Sequence, residues 1–148
     1  MSEITGAKHI DPMHLAYMAG YFDGEGCVTI SSNNSSVACS VTNTYPNVLN
    51  EMKEMFGGSV AAKGSPKEKW RNAYRFSVYS GRACDMLEQL LPYLQEKRPQ
   101  AELALEFQRT KDKAKRIELR DKIKALKHIN HLTNNNERTT HNIQNNLH

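Results

Sequence analysis

The sequence predicts an α+β domain built on a mostly antiparallel sheet. One observation is the order of the segments, which reads α-β-β-α-β-β-α-α-α along the chain. The other is that apolar and polar residues alternate within the strand-like segments, as is typical of a sheet with one buried and one exposed face. With 148 residues, the chain is long enough to bury a single core of this kind.

The opening helix is predicted to begin at Asp11 and Pro12, since these residue types are favoured at the N-cap and at the first helical position. We expect Gly24 and Gly26 to end it, because glycine commonly follows the last turn of a helix. Apolar residues at helical spacing form its predicted core face: Leu15, Met18, Ala19 and Phe22.

A β-hairpin is predicted next, with strands at Cys27–Ser32 and Val37–Thr42 and a turn at Asn33–Ser36. A second helix should begin at Pro46 and end at Gly57–Gly58. Its apolar stripe contains Val48, Leu49, Met52, Met55 and Phe56.

The second half of the chain repeats this pattern with strands at Ser59–Lys63 and Asn72–Tyr79. Ser80 is predicted to cap the helix that follows, and Pro92 to kink it. Pro99 should begin another helix. The final basic helix has a predicted apolar stripe of Ile117, Leu119, Ile123 and Leu126.

Composition points to a globular protein that stays inside the cell. Charged residues make up 24% of the chain and apolar residues 39%. No apolar run approaches the roughly eighteen residues of a membrane span, and the N-terminus lacks a signal-peptide pattern. The three scattered cysteines have neither metal-site nor disulfide spacing. We therefore expect an intracellular protein that is not secreted.

Positive charge is concentrated near the C-terminus. Residues 109–127 carry nine basic and three acidic side chains, whereas the whole chain has a net charge of +4, so the remainder is net −2. Such a segment favours a polyanion such as nucleic acid, although a solvated helix face would look the same. Residues 129–148 are rich in asparagine, so we predict one domain over residues 1–128 and a flexible tail over residues 129–148.

The stretch Met18-Ala19-Gly20-Tyr21-Phe22-Asp23-Gly24-Glu25-Gly26 resembles the LAGLIDADG motif of homing endonucleases. The match is full at alanine, the first glycine, the first acid and the last glycine, and Glu25 replaces the second aspartate. The segment Leu91–Ala101 is similar to the family segment that carries a catalytic lysine. The resemblance covers roughly Asp11 to Phe107, and its αββαββα core agrees with the predicted order.

The resemblance implies a sequence-specific double-strand DNA endonuclease that hydrolyses phosphodiester bonds at a long, near-palindromic site with Mg²⁺ or Mn²⁺. Glu25 and the carbonyl of Gly24 would be metal ligands, because Mg²⁺ prefers oxygen ligands. Lys97 would stabilise the transition state and Asn43 would orient water. Asp23 is expected to be a structural partner at the helix end.

The resemblance also implies a homodimer, because the motif occurs once. The predicted dimer interface contains Tyr17, Ala19, Gly20 and Tyr21. The polar sheet face and its loops would bind DNA through Thr29, Ser31, Asn33, Ser36, Ser40, Lys63, Lys67, Lys69, Arg71 and Arg75. The basic helix would add backbone contacts through Lys111, Lys113, Lys115, Arg116 and Arg120.

Two other readings stay open at this level. The same scaffold is used by proteins without catalysis, which act as intron RNA maturases or DNA-binding regulators. A plain dimeric α+β protein whose basic helix binds an acidic protein is a third possibility. The resemblance implies an endonuclease that is encoded within an intron. A bacterial or phage-infected cytoplasm and an organelle matrix or stroma are all compatible locations for it.

Overall fold

The computed structural model describes residues 11–31, 33, 35–63 and 73–127. The helices are α1 (Pro12–Glu25), α2 (Pro46–Phe56), α3 (Ser80–Leu90), α4 (Arg98–Arg109) and α5 (residues 113–127). The strands are β1 (Gly26–Ile30), β2 (Val37–Asn43), β3 (Ser59–Lys63) and β4 (Ala73–Tyr79). The predicted α+β class and the order of elements are confirmed, while the predicted tail lies outside the described residues.

The four strands form one sheet in the order β1-β2-β4-β3, and every neighbouring pair is antiparallel. Alternation within the strands decides which side chains meet the core. Val28, Cys39 and Val41 point to the buried face together with Phe76 and Val78. The helices pack on that face, so the opposite face of the sheet keeps its polar side chains exposed or half-buried.

Helix α1 begins as predicted but ends later. The Asp11 carboxylate accepts a hydrogen bond from the backbone N–H of Met13 at 3.2 Å, and Pro12 occupies the first turn. The prediction that Gly24 ends the helix is wrong, because α1 continues through Glu25 and Gly26 is its C-cap. The backbone N–H of Gly26 donates to the carbonyl of Phe22, which closes the last turn. Glu25 is therefore held in the last turn of a helix rather than in a free loop.

Two other predicted boundaries change. Tyr79, not Ser80, is the N-cap of α3, and Ser80 is the first helical residue with a φ of 55°. Pro92 does not kink a continuous helix, because α3 ends at Leu90 and a 3-10 turn at Leu91–Tyr93 follows. This turn leads the chain back across the C-terminal end of α1.

The core unites the sheet with all five described helices. Its largest fully buried side chains include Phe22 of α1, Phe76 of β4 and Phe107 of α4. Helix α5 joins this core through Leu119 and Ile123, which are 1% and 2% exposed, whereas Ile117 of the predicted stripe is 45% exposed. Within the described residues, no helix is both long enough and apolar enough to cross a membrane.

We expect Gly26→Ala to destabilise the protein by about 1–3 kcal/mol through overpacking. The backbone at Gly26 has a φ of −84°, which alanine also adopts, so the effect comes from space alone. A Cβ there would lie 2.6 Å from the Phe22 carbonyl oxygen and against the Phe22 ring. Urea denaturation measures the loss. Gly81→Ala is the matched control, because a Cβ at Gly81 in α3 meets nothing within 4 Å; equal stability of the two variants would contradict the prediction.

Candidate active site and nucleic-acid face

The C-terminal end of α1 carries the acidic residues of the motif. Glu25 is exposed at the last helical position, and Gly24 precedes it on the exposed side. The last carbonyl groups of a helix lack intrahelical partners and carry partial negative charge. A carboxylate and carbonyl oxygens are thus presented together at a place that favours a cation.

Asp23 ties this helix end to the segment that precedes α4. One carboxylate oxygen accepts from the backbone N–H of Gln95 at 2.8 Å, and the other from that of Lys97 at 3.1 Å. The Lys97 ammonium in turn donates to the backbone carbonyl of Asp23. Asp23 therefore has the structural contacts expected of it, and it brings Lys97 to the same helix end as Glu25.

Asn43 reaches the same region from the end of β2. Its side-chain N–H donates to the hydroxyl of Tyr21 at 2.6 Å, and its side-chain oxygen accepts from the backbone N–H of Tyr45 at 3.1 Å. Burial raises the pKa of Tyr21, and the nearby charge of Glu25 raises it further. The structure thus places all three predicted catalytic residues, Glu25, Lys97 and Asn43, around one end of α1.

The oxygen donors at this helix end are of the chemical type that a hard divalent cation prefers, but their number is too small for a complete set of ligands. Glu25 and the Gly24 carbonyl offer oxygen ligands, which Mg²⁺ prefers. Among the residues that the structure describes, no group of three or more His, Cys, Asp or Glu side chains could hold a metal ion. The described part of the chain therefore offers oxygen donors at this helix end but not a full set of ligands.

The outward-facing side of the sheet carries part of the predicted DNA-binding set. Thr29, Ser40, Lys63 and Arg75 lie on the side opposite the core residues Val28, Cys39 and Phe76, as alternation predicts. Arg75 donates a hydrogen bond to the hydroxyl of Thr42 at 3.3 Å. Thr42 is not among the DNA-binding residues predicted from the sequence. Lys67, Lys69 and Arg71 lie outside the described residues.

The tip of the β1–β2 hairpin is organised by its own polar side chains. The Asn33 side-chain oxygen accepts from the hydroxyls of Ser31 at 2.7 Å and Ser35 at 2.6 Å, and from the backbone N–H of Ser35 at 3.3 Å. The backbone N–H of Ser36 donates to the Ser31 hydroxyl at 3.1 Å. Ser31, Asn33 and Ser36 therefore shape the turn, and the Asn33 amide nitrogen is the part of that side chain left for other contacts.

Helix α5 is fastened to the tip of the β1–β2 hairpin and to the start of β1. Arg116 donates to the carbonyl of Ser35 at 3.1 Å, and its guanidinium carbon lies 3.9 Å from the centre of the Phe107 ring. Near the other end of α5, the Lys127 ammonium lies 3.0 Å from the sulfur of Cys27. Arg116 is predicted to contact DNA. In the structure it holds the hairpin tip in place through Ser35, and no local sequence pattern predicts this contact.

One face of α1 is covered by none of the residues that the structure describes. It consists of residues at helical spacing: Met13, Ala16, Tyr17, Gly20 and Gly24. Ala19 lies on the other side of the helix and is fully buried in the protomer's own core, so a partner helix cannot reach it. A groove of about 850 Å³ runs beside this face and is lined by Ala16, Gly20, Gly24 and residues 92–96.

The small residues on this face have no packing reason within the protomer. A Cβ added at Gly20 or Gly24 would meet nothing within 4 Å. Glycine inside a helix costs about 1 kcal/mol relative to alanine. Space for the backbone of another molecule is a physical reason to keep both glycines.

Comparison with known proteins assigns this fold and helix end to one family. The LAGLIDADG-like domain matches residues 12–92, just over half of the chain. The protein therefore belongs to the LAGLIDADG family, as the motif predicts. No curated protein sequence matches the chain.

Solved structures of homing endonucleases have the same fold. I-CvuI in complex with its target in the presence of 2 mM Ca is 29% identical, covering 78% of this chain and 82% of that one with a TM-score of 0.62. I-CvuI with the I-CreI target in the presence of 2 mM Mg, with the DNA not cleaved, is 27% identical, covering 77% and 82% with a TM-score of 0.58. The archaeal intron-encoded I-Vdi141I complexed with DNA is 20% identical over 66% and 67%, with a TM-score of 0.53, and supports the fold alone.

We expect Asp23→Ala to destabilise the protein by about 1–2 kcal/mol, because it leaves the N–H groups of Gln95 and Lys97 without their carboxylate acceptor. Thermal and urea denaturation measure the loss. Asp85→Ala on α3 is the control, because Asp85 is an exposed carboxylate within a helix and its side chain makes no such bridge among the described contacts. Unchanged stability of Asp23→Ala would show that the bridge is not needed.

Proposed function

We propose that this protein is a sequence-specific, divalent-metal-dependent double-strand DNA endonuclease of the homing type, encoded within an intron and active as a homodimer. The observation that carries the proposal is the meeting of Glu25, Lys97 and Asn43 at the end of α1, where β1 begins and β2 ends. An acid, a cation and a polar amide thus lie beside the polar face of the sheet. The DNA complexes of I-CvuI support a DNA substrate.

Each residue at this helix end has a distinct part in the proposed reaction. Glu25 and the carbonyl of Gly24 would hold the metal ion. A bound divalent cation supplies an activated water and stabilises the charge that develops on the phosphate. Lys97, held by Asp23, would stabilise an anionic phosphoryl oxygen with its ammonium group. Asn43 is fixed by two hydrogen bonds and would orient the attacking water.

The incomplete set of metal ligands and the uncovered face of α1 both support the proposed homodimer. Two copies of α1 packed through Gly20 and Gly24 would bring both Glu25 carboxylates close together. Like charges at short range repel, so cations between them would stabilise the pair. The same packing would place two polar sheet faces side by side on a near-palindromic DNA site.

The outer sheet face is proposed to lie in the major groove. Strand side chains can reach base edges there, with Arg75 suited to guanine and Thr29 and Ser40 to several bases. Lys63 at the end of β3 would contact phosphates. Basic residues near α5 would add affinity that falls as salt concentration rises.

We expect Glu25→Gln to lose cleavage by at least about a hundredfold while DNA binding stays within a few-fold, because the substitution removes the charged metal ligand. The wild type and the variant are incubated with a randomised DNA library and Mg²⁺, and the ends are sequenced. Discrete, near-palindromic sites with uniform ends, absent from the variant, are the expected result.

Glu54→Gln is the charge-matched control, since Glu54 is exposed on α2 and far along the chain from the site. Undiminished cutting by Glu25→Gln would refute the assignment of Glu25. If the wild type cuts no DNA but binds DNA or intron RNA in a salt-sensitive way, the non-catalytic function replaces the endonuclease.

We expect Gly20→Leu to weaken dimerisation by at least about tenfold and to abolish cleavage at low protein concentration, because the new side chain projects into the helix seam. The protomer itself should keep its stability, since the position is open. Analytical ultracentrifugation measures the association. Gly81→Leu is the matched control on another helix glycine with open space. A monomeric wild type would overturn the homodimer, and a variant that associates as tightly as the wild type would overturn the α1 interface.

A further inference from the structure

We propose that Tyr21 is a positioning residue for strand cleavage, and that its hydroxyl fixes the orientation of the Asn43 amide beside Glu25. This inference rests on the proposed function and deepens it, because the sequence places Tyr21 only in the dimer interface. Position 21 of the motif is a tyrosine, whose hydroxyl distinguishes it from an apolar residue of the same size.

The amide of Asn43 has one orientation only. Its oxygen must face the backbone N–H of Tyr45, a group that can only donate, at 3.1 Å. Its nitrogen then faces the Tyr21 hydroxyl oxygen at 2.6 Å and donates to it. Each end of the amide is thus held by a different element, the nitrogen by α1 and the oxygen by the start of α2. Removing the Tyr21 hydroxyl leaves the nitrogen end without its acceptor.

The Tyr21 hydroxyl can still donate a hydrogen bond. It accepts from Asn43, so its own O–H points elsewhere, and the spacing of four residues places Tyr21 and Glu25 on one side of α1. Burial, followed by the charge of Glu25, raises the pKa of Tyr21, so the hydroxyl stays protonated near neutral pH. The helix end therefore holds a neutral hydroxyl that is bonded to the Asn43 amide, one turn before Glu25.

A role in dimer packing alone does not account for these contacts. Tyr17 lies one turn earlier on the same side of α1, with its ring centre 6.4 Å from that of Tyr21. Tyr17 is 54% exposed, whereas Tyr21 is half-buried and engaged by Asn43. The chain thus supplies a matched pair of tyrosines on one face, of which only Tyr21 touches a proposed catalytic residue in the described structure.

The test compares Tyr21→Phe, Tyr17→Phe, Asn43→Ala and the double variant Tyr21→Phe/Asn43→Ala. Single-turnover cleavage at saturating protein, DNA affinity without divalent metal, and dimer association are measured for each. We expect Tyr21→Phe to cleave about five- to tenfold more slowly, the effect of one lost hydrogen bond, with affinity and association unchanged. Tyr17→Phe is the packing control, and at saturating protein it should cleave faster than Tyr21→Phe, because its hydroxyl contacts no proposed catalytic residue in the described structure. The double variant should be no slower than Asn43→Ala, because both changes disable one unit.

Wild-type cleavage by Tyr21→Phe, or rate losses of Tyr21→Phe and Asn43→Ala that multiply in the double variant, would overturn the inference and leave the endonuclease intact. A loss confined to affinity or association would assign Tyr21 to packing and overturn it as well. If the wild type cuts no DNA, the proposed function fails first. NMR of the Asn43 side-chain amide then still decides the contact, since Tyr21→Phe must shift that resonance and Tyr17→Phe must not.

Discussion

The carboxylate of Asp23 holds the end of α1 against the segment that leads into α4, and the arrangement of the whole site depends on it. By binding the N–H groups of Gln95 and Lys97, it joins two parts of the chain more than seventy residues apart. The bridge places the Lys97 ammonium at the C-terminal end of α1, where Glu25 lies. A motif acid with a structural role thus sets the position of Lys97 relative to Glu25.

Helix α1 serves three surfaces at once because its faces differ in chemistry. Its apolar side, with Met18, Ala19 and Phe22, enters the core. Its small-residue side is open beside the groove, and its C-terminal end carries the acid. Since Gly26 packs tightly against Phe22, the chain turns at once from helix to strand, and β1 begins at the residue after Glu25. The proposed catalytic acid and the first of the proposed DNA-binding strands are therefore adjacent along the chain.

Most of the fold could be predicted from the sequence, because periodicity records which side of each element meets the core. Strand β3 agrees with prediction for this reason, and the starts of α1 and α2 agree because Pro12 and Pro46 mark the first helical turn. Periodicity says nothing of contacts between distant segments, so it does not predict the bond from Arg116 to Ser35. It places Ala19 on the core face, where the residue lies, whereas the motif resemblance implies a dimer contact there. Glycine at both Gly24 and Gly26 predicts a helix end, and only Gly26 is the C-cap. The clustering of Glu25, Lys97 and Asn43 came from the motif resemblance, not from pattern alone.

The Asn33 turn has a consequence for how the proposed DNA target could change over time. Ser40 and Lys63 project from strands whose backbone ladders hold without them, so substitution there alters a proposed DNA contact and leaves the scaffold in place. The Asn33 oxygen is committed to three bonds inside the hairpin tip. A new residue at that position changes the shape of the tip together with its contact. Substitutions that change the DNA target, in evolution or by design, are therefore better tolerated along the strands than at the hairpin tip.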